Sequence, residues 1–417
     1  RRLAAVRAEA LAAGRIVGIL LDLPGPKLRV GDMTPGTLLG EGGRFVLSVG
    51  DCAGDAERAC VTYHGLARDV SAGDRIMLDD GAIELRVEEV RAGEVVTRVV
   101  RGGPLLSQKG VNVPGVRLGV DAVTPRDLEL LAWGLAASVD LVAQSFVRAA
   151  SDSERLRDAM GADRLPIVAK IEKYEALDEL DAIIAAADAV MVARGDLAVE
   201  TSPEAVPPAQ RRIVAACRTA GKPVVVATQM LESMVSSPRP TRAEASDVAT
   251  AVFEGADAVM LSEETAIGAY PAQSVATMDR VCRAAEESGE PASSVRMVST
   301  SSPVAAAAVD LARDTGAVAI VTATQSGATA RAVAGMRPPQ PIVGLAREAK
   351  VARALTIVWG VLPVFEASNA TIEGTTEQAA AAVRSLGLAK PGDRAVLTAS
   401  TTSGGVGASD LVRIVTL

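Results

Sequence analysis

The feature that most constrains the fold is a repeated alternation of short apolar runs with longer helical segments from Asp121 onward. A strand, helix, strand order indicates parallel strands joined by right-handed crossovers. Six apolar runs are of this kind, one before the alternation and five within it: "IVGILLD", "VDLVAQSFV", "PIVAKIEK", "AVMVARGDL", "KPVVVATQM" and "ADAVMLSEET". Each run closes in polar or glycine-rich residues, and a (β/α)₈ barrel carries its site at the carboxyl ends of its strands. We therefore predict an α/β fold with a TIM-type barrel, of which six strands are visible.

An open, doubly wound sheet is the alternative fold. Dinucleotide-binding sheets of that type carry a glycine-rich fingerprint after an early strand, and this sequence has none. Aromatic residues make up only 2% of the chain against 49% hydrophobic residues, so the core is built from Ala, Val, Leu and Ile. That composition is typical of buried parallel strands. The barrel is the favoured interpretation.

Two further units interrupt or follow the barrel. Residues 31–110 read as short alternating strands separated by Gly and Asp turns, which predicts a small all-β domain inserted in a loop. The polar stretch "EESGEPASSVRMVSTSSP" is predicted to be a linker, and a new helix and strand pattern begins after it. We predict a barrel domain of residues 1–30 and 111–290, the inserted domain, and a C-terminal α/β domain of residues 300–417.

Charge and cysteine content limit the function and the cellular location. A net charge of -8 without a basic block argues against nucleic acid and anionic membrane as partners. No apolar run reaches the length of a membrane span. The four cysteines lack paired spacing, so we expect neither a zinc site nor a disulfide framework, but reduced thiols in the cytoplasm.

Three charged residues at predicted strand ends form the candidate catalytic group. Lys170 and Glu172 are two positions apart, so a strand directs both to the same face at the same end. Asp196 closes the next run. Divalent cations such as Mg²⁺ bind one or two carboxylates together with substrate oxygens, and Glu172 and Asp196 can supply them. A lysine beside such a cation requires a strongly anionic substrate between them, and a phosphorylated carboxylic acid meets that requirement.

The long run from Gly221 to Pro271, with "AKIEK", "MVARGDLAVE" and "KGVNVPG", closely resembles pyruvate kinase. The resemblance covers nearly the whole chain, with motif order and spacing in agreement. It implies a barrel A domain, a β-rich B domain that closes over the nucleotide, and a regulatory C domain. It also implies phosphoryl transfer from phosphoenolpyruvate to ADP in the last step of glycolysis, giving ATP and pyruvate through an enolate stabilised by Mg²⁺ or Mn²⁺.

The resemblance also implies roles for individual residues. Lys170 is similar to the residue that stabilises the phosphoryl group in flight and the enolate. Glu172 and Asp196 resemble the metal ligands, and Gly195 resembles the glycine whose backbone N–H binds the substrate carboxylate. Thr228 matches a hydroxyl that binds the substrate. The phosphoryl transfer itself needs mainly alignment and charge neutralisation, which these groups are suited to provide.

Other matched positions concern the nucleotide and the monovalent cation. Arg29 and Lys109, at the two junctions with the inserted domain, match nucleotide-phosphate contacts. Relatives that require K⁺ usually carry Thr after the Asp at the position of Asp22, and Glu at the position of Lys27. Here the residue after Asp22 is Leu23, and the Lys27 ammonium can supply the positive charge that K⁺ otherwise provides. We predict that K⁺ is not required.

A loop in the C-terminal domain is a candidate effector site. "TATQSGAT" places hydroxyls and a glycine between a strand and a helix, at Thr324, Ser326, Gly327 and Thr329. Such a loop can cradle a phosphate, and relatives bind sugar-phosphate effectors at a similar place. A helix cap without a ligand is an equally good interpretation, because Ser and Thr are good caps. The resemblance further implies a homotetramer.

Two other functions remain open. Most members of the family begin with two further strand segments, so we expect the chain as given to be incomplete or inactive. A catalytically impaired paralogue that binds phosphorylated metabolites is therefore one alternative, although the four candidate catalytic and metal residues oppose it. A metal-dependent pyruvate aldolase or lyase is the other, and the inserted domain with Arg29 and Lys109 argues against it, because a lyase needs no nucleotide lid.

Overall fold

The computed structural model describes residues 2–50, 52–91, 93–288, 302–367, 371–400 and 409–417. Its strands are β1 Leu20–Leu23, β2 Leu38–Leu39, β3 Arg44–Val49, β4 Arg58–Val61, β5 Arg75–Leu78, β6 Ile83–Arg91, β7 Glu94–Arg101, β8 Gly103–Pro104, β9 Val111–Asn112, β10 Leu141–Gln144, β11 Ile167–Ile171, β12 Ala189–Ala193, β13 Val224–Ala227, β14 Ala258–Val259, β15 Ala319–Thr324, β16 Ile342–Ala346, β17 Val361–Phe365, β18 Arg394–Ala399 and β19 Leu411–Thr416.

The helices surround these strands and connect them. They are α1 Arg2–Ala12, α2 Leu66–Asp69, α3 Pro125–Ala136, α4 Ala150–Met160, α5 Tyr174–Asp178, α6 Leu180–Ala186, α7 Arg194–Glu200, α8 Val206–Ala220, α9 Arg242–Glu254, α10 Glu263–Ala266, α11 Pro271–Glu287, α12 Ser302–Asp314, α13 Ala328–Gly335, α14 Ala349–Ala354 and α15 Ile372–Ser385. Most of the predicted polar linker, residues 289–301, lies outside the described residues.

The first sheet is a half barrel of six parallel strands in the described chain. Its order is β1, β10, β11, β12, β13, β14, so each strand pairs in parallel with the next one that the chain adds. A doubly wound sheet reverses its strand order at a switch point, so this sequential order excludes that alternative. The predicted barrel class is confirmed.

The inserted β region has its own core. A six-stranded sheet of order β4, β3, β7, β6, β5, β9 lies beside a short ribbon of β2 and β8. Alternate residues in the first part of β3 are buried, and Phe45 and Leu47 there are fully covered. That alternation is the period-two pattern of a sheet with one face against a core. The region is therefore a compact β unit, called the lid below, which is attached to the barrel by two chain crossings.

Two cysteines of this lid are bonded, which corrects the expectation of reduced thiols without disulfides. Cys52 and Cys60 form a disulfide with their Cα atoms 5.6 Å apart. The pairing of β3 with β4 sets Ser48 opposite Cys60, so the segment after β3 returns past Cys60. A separation of eight residues carries no recognisable motif, and only the strand pairing brings the two sulfurs together. Cys217 and Cys282 remain free thiols.

The C-terminal unit is a second α/β sheet. Its order is β17, β16, β15, β18, β19, with parallel pairs except at β19, which runs antiparallel to β18. The strand and helix pattern predicted for this region agrees with the structure. The final antiparallel strand, "LVRIVT", had no counterpart in the prediction. Helix α13 follows β15 directly, so the loop of Thr324 to Thr329 lies at the carboxyl end of that strand.

Candidate active site

Lys170 lies at the centre of a group of oxygens from three neighbouring strand ends. Its Nζ is 3.0 Å from Oε1 of Glu172 and 3.2 Å from Oδ1 of Asp22, and it donates to Oγ of Ser145 at 2.8 Å. The period-two spacing thus brings Lys170 and Glu172 together. Burial alone would lower the pKa of Lys170, but the charges of Glu172 and Asp22 outweigh it and raise the pKa. The ammonium is held charged.

Glu172 is a buried carboxylate with one firm backbone contact. Only 1% of it is exposed, and the backbone N–H of Phe146 donates to its Oε2 at 2.8 Å. Burial raises the pKa of Glu172, the ammonium of Lys170 opposes that effect, and the charge of Asp196 adds to it, so that the pKa is about 7. A carboxyl group with a pKa near neutral pH and a second carboxylate close by is stabilised in its charged form by a bound cation.

Asp196 joins this group from the first turn of α7. The helix starts at Arg194, directly after β12, so the chain turns from strand to helix at the carboxyl edge of the sheet. The charge of Asp196 contributes to the raised pKa of Glu172, so the two carboxylates lie close enough to repel each other. Among the described residues, no group of three or more His, Cys, Asp or Glu forms a metal cluster. The pair suits a hard divalent cation that takes its other ligands from substrate and water.

Gly195 and Thr228 meet across the ends of β12 and β13. The backbone N–H of Gly195 donates to Oγ1 of Thr228 at 2.9 Å, and that hydroxyl donates to the carbonyl of Ala227. Thr228 and Gln229 have φ angles of 68° and 53°, in the left-handed region that a β-branched residue rarely adopts. Such a conformation costs about 1–3 kcal/mol and persists where neighbouring contacts enforce it.

Arg194 supplies the contacts that hold this turn. Its Nη2 donates to the carbonyl of Thr228 at 2.7 Å and its Nε to that of Ala227 at 3.2 Å. Its Nη1 contacts the carboxylate of Asp247 at 2.7 Å, which fixes the guanidinium against α9. Arg194 thus positions Thr228 without lying among the predicted site residues.

A cleft between the barrel and the lid opens onto these groups. It has a cavity volume of about 630 Å³, and its lining includes Gly195, Asp196 and Thr228 from the barrel and Arg75 and Arg101 from the lid. This volume lies within the range of small-molecule sites, about 300–1,000 Å³.

Lys27 also lines the cleft, at the junction between barrel and lid. It is exposed and forms no ion pair with any residue in the described part of the chain. Asp22, the other residue of the predicted monovalent-cation region, is instead engaged with Lys170. The charge of Lys27 is thus available to an anionic ligand.

Arg29 and Lys109 lie side by side at the two chain crossings between barrel and lid. Their side chains contact neighbouring residues of these crossings and not the cleft. Arg29 pairs with Gly110 in an antiparallel bridge, and its Nη1 donates to the carbonyl of Gln108 at 2.7 Å. Nζ of Lys109 forms an ion pair with Asp79 at 2.8 Å. Neither residue is among the described residues that line the cleft. Contact with a nucleotide would require these side chains to turn towards it.

The C-terminal loop lies apart from the cleft and is internally bonded. The backbone N–H of Gly327 donates to Oγ1 of Thr324 at 2.9 Å, and the hydroxyl of Thr329 is 2.7 Å from that of Ser409. Ser326 accepts from Nη1 of Arg331 through its carbonyl at 3.2 Å. Gly327 has a φ angle of 82°, which favours glycine at this helix start.

Ser145, Phe146 and Arg194 are the contributors that sequence reasoning missed. All three follow the last residue of a barrel strand, β10 or β12. The signal was therefore present, because every strand end of a barrel faces the same site. Their contacts to Lys170, Glu172 and Thr228 depend on tertiary geometry that spacing within one strand does not reveal.

Binding of a divalent cation should weaken as the pH falls below 7. A protonated Glu172 is a poor ligand, and its pKa of about 7 lies above the ordinary value of 4.5, so proton release accompanies metal binding near neutrality. We expect the apparent affinity for Mn²⁺ to fall about tenfold per pH unit below that pKa. Titration of Mn²⁺, followed by the paramagnetic signal of the free ion, measures this. An affinity that stays constant until ordinary carboxyls titrate, near pH ~4.5, would contradict it.

The buried ammonium of Lys170 lies next to two carboxylates, Glu172 and Asp196, that suit a divalent cation. Such an arrangement can bind and neutralise an anionic group that is transferred between substrates. Together with the half barrel and its cleft, this site is typical of a barrel enzyme that acts on anionic substrates. None of the described helices has the length and apolar character needed to cross a membrane.

Comparison with known proteins identifies the family. Residues 1–275 match the family model described as "Pyruvate kinase, barrel domain", and residues 302–415 match "Pyruvate kinase, alpha/beta domain". The chain belongs to the pyruvate kinase family, which confirms the resemblance.

Three bacterial relatives illustrate the degree of similarity. The chain is 42% identical over 414 residues to a pyruvate kinase of Mycobacterium tuberculosis, covering 98% of this chain and 88% of that protein. It is 43% identical over 428 residues to one of Geobacillus stearothermophilus, covering 99% and 73%. It is 43% identical over 412 residues to one of Agrobacterium vitis, covering 96% and 84%.

Proposed function

We propose that this chain transfers the phosphoryl group of phosphoenolpyruvate to ADP, giving pyruvate and ATP. The observation that carries the proposal is the Lys170 ammonium, held charged between Asp22, Ser145 and Glu172 at the barrel strand ends. A phosphoryl group in flight spreads its charge over three equatorial oxygens, and a fixed cation stabilises that charge without reorganising. The same ammonium then neutralises the enolate left on the pyruvate carbon skeleton.

The substrate carboxylate is proposed to bind at the turn of Gly195 and Thr228. In the structure the N–H of Gly195 is satisfied by the Thr228 hydroxyl. A carboxylate is a stronger acceptor than a hydroxyl, so the substrate can take over this donor while Thr228 donates to the substrate as well. Arg194 keeps both strand ends in register during this exchange.

Glu172 and Asp196 are proposed to hold Mg²⁺ or Mn²⁺. The raised pKa of Glu172 beside a second carboxylate supports the fit. When bound, the cation supplies Lewis acidity and orients the phosphoryl oxygens. The two side chains contribute two negative charges and a site from which bulk water is excluded on the Glu172 side, since that residue is buried.

The inserted region of residues 31–110 is proposed to act as a lid over the nucleotide, with Arg29 and Lys109 contacting its phosphates. Both residues lie at the two chain crossings that connect lid and barrel. Closing such a lid excludes water from the transferring group, which limits hydrolysis. The positions of Arg75 and Arg101 on the cleft side of the lid support an anionic ligand there.

We propose that the enzyme needs no K⁺, because Lys27 supplies the required positive charge. Substituting Lys27 by glutamate should make the rate depend on K⁺, whereas the unaltered chain should be equally active in potassium and in tetramethylammonium chloride. The exchange of Lys350 for glutamate, an exposed site in the C-terminal unit, is the matched charge control. The measurement is the initial rate at constant ionic strength. A wild-type rate that K⁺ raises by about tenfold or more, equivalent to about 1.4 kcal/mol, would contradict the role of Lys27.

Regulation and assembly extend the proposal. Thr324, Ser326, Gly327 and Thr329 are proposed to bind a sugar-phosphate effector, for which the glycine-containing turn ahead of α13 is the support. A homotetramer in the cytoplasm is the assembly that the family resemblance suggests.

The test is pyruvate formation from phosphoenolpyruvate with and without ADP. The proposal predicts that pyruvate appears only with ADP and a divalent cation, with one ATP formed per pyruvate. A lyase or aldolase would release or consume pyruvate without ADP. A protein that binds phosphoenolpyruvate without forming pyruvate would support the catalytically impaired alternative.

A further inference from the structure

A second group of basic residues lies at the opposite end of the barrel from the cleft. Arg218 and Lys222 of the barrel and Arg331 and Arg337 of the C-terminal unit line one small hollow. Asp257, which directly precedes β14, is the acid in that lining. We call these five residues the interdomain basic cluster. Among the described residues that line the hollow, four are bases and one is an acid.

Neighbouring acids do not neutralise the excess positive charge of the interdomain basic cluster. Asp188 lies close enough to influence Lys222 and Arg331, but it is paired with Arg157 at 3.0 Å. Burial lowers the pKa of Arg218, Lys222, Arg331 and Arg337 alike, and in each case the attraction of a nearby acid fails to compensate. Buried cations in deficit of anions are costly unless something else neutralises them.

Two of the N–H donor groups of Arg337 lack acceptors among the described residues. Its side chain is only 8% exposed, and its guanidinium stacks on Trp359 at 4.6 Å from the ring centre. Nη2 donates to the carbonyl of Gly255 at 2.6 Å, and Asp257 is 3.5 Å away. Within the described part of the chain, Nε and Nη1 are buried without a hydrogen-bond partner. Each of these two charged donors requires an acceptor, and the oxygens of an oxyanion can supply one.

The other bases add incompletely used donors. Lys222 Nζ donates to the carbonyl of Ala187 at 2.6 Å, which uses one of its three N–H bonds. Arg331 donates from Nη1 to Ser326 at 3.2 Å. Both side chains line the hollow, from opposite sides of the boundary between barrel and C-terminal unit.

We propose that the interdomain basic cluster binds a phosphoryl group, either as free phosphate or as part of a small phosphorylated metabolite. The site is separate from the cleft, and it adjoins the loop of Thr324 to Thr329 only through the contact of Arg331 with the carbonyl of Ser326. A dianion there would satisfy the buried donors of Arg337 and neutralise Lys222 and Arg331 together. It would also connect the two units, since Lys222 leads into β13 and Arg331 lies on α13.

The experiment is calorimetric titration of the whole chain with inorganic phosphate, on the wild type and on two cluster variants, Lys222→Met and Arg331→Met. We expect a saturable phosphate site in the wild type that is at least tenfold weaker in each variant and does not depend on Lys170 or on the C-terminal loop. Binding should persist in three controls: Lys170→Met in the cleft, Thr329→Val in the C-terminal loop, and Arg283→Gln at an exposed position of α11. Retention of phosphate binding in both cluster variants, or no saturable binding by about 10 mM, would overturn the proposal.

Thermal unfolding separates a binding site from a purely structural cluster. Without phosphate, exchanging a poorly neutralised buried cation for methionine should leave the melting temperature unchanged or raise it. With phosphate, the wild type should gain stability that the variants do not gain. Variants that melt much earlier than the wild type without phosphate would mark the cluster as structural and contradict the proposal.

Competition identifies the source of the phosphoryl group. Sugar phosphates and nucleoside monophosphates are added to the phosphate-saturated wild type. Displacement at concentrations below that of phosphate indicates a phosphorylated metabolite, and failure to displace indicates free phosphate. Either result is consistent with the site, whereas displacement that is equally strong in Lys222→Met would place the binding elsewhere.

Discussion

Replacing Lys170 by methionine should lower kcat for pyruvate formation by about 10³-fold or more, the scale on which a cation acts at a transferring phosphoryl group. Methionine keeps the length and the apolar stem of lysine, so the loss falls on the charge. The ammonium contacts Glu172 and Asp22 and sits against Ser145, which no other described base does. The transition state would lose its fixed cation, while the turn of Gly195 and Thr228 would stay in place to bind the substrate.

Steady-state kinetics with varied phosphoenolpyruvate measures this effect. The loss should appear in kcat rather than in KM, because the proposed contact is strongest in the transition state. Lys350→Met, at an exposed position of the C-terminal unit, serves as the control and should behave as wild type. A Lys170→Met enzyme that keeps a tenth of the wild-type kcat would remove Lys170 from the catalytic role.

The second large effect is expected at Glu172. The isosteric change Glu172→Gln should weaken Mn²⁺ binding by at least about 100-fold and abolish most of the activity at ordinary metal concentrations. The amide cannot supply the negative charge that the cation requires. The change also removes one of the two carboxylates that contact the Lys170 ammonium, which would then be held only by Asp22 and Ser145.

A matched control exists three residues further along the chain. Glu175 is also a buried carboxylate, and burial raises its pKa. It makes no ion pair among the described residues, and it has no place in the proposed metal site. Glu175→Gln should therefore leave the affinity for Mn²⁺ unchanged. Equal losses of metal affinity in Glu172→Gln and Glu175→Gln would point to a general effect of buried charge and contradict the assignment of Glu172.

The barrel fold could be predicted because each strand is one short segment of the chain and consecutive strands are neighbours in the sheet. Each apolar run of the barrel is a single short segment with helices on both sides, and consecutive parallel strands in such a pattern become neighbours in the sheet. The disulfide between Cys52 and Cys60 was not readable, since it depends on how β3 and β4 align. The antiparallel strand β19 was not predicted, because the parallel strand and helix pattern of this unit gives no signal for a last strand that runs opposite to β18.

Only part of the candidate site could be predicted from the sequence. Lys170 and Glu172 could be placed together because side chains of one strand repeat with period two. Ser145, Phe146 and Arg194 come from other strand ends, and their contacts depend on the curl of the sheet and on a left-handed turn at Thr228. Neither of these follows from spacing along the chain. The interdomain basic cluster likewise joins residues more than a hundred positions apart.

The most direct test of the active-site assignment is a crystal structure with Mn²⁺ and phosphoenolpyruvate, using the anomalous signal of manganese to place the ion. We expect one strong peak within ligand distance, about 2.0–2.3 Å, of oxygens from both Glu172 and Asp196. The phosphoryl group should lie against Nζ of Lys170, and the substrate carboxylate at Gly195 and Thr228. A manganese peak that touches neither carboxylate, or a substrate bound away from Lys170, would contradict it.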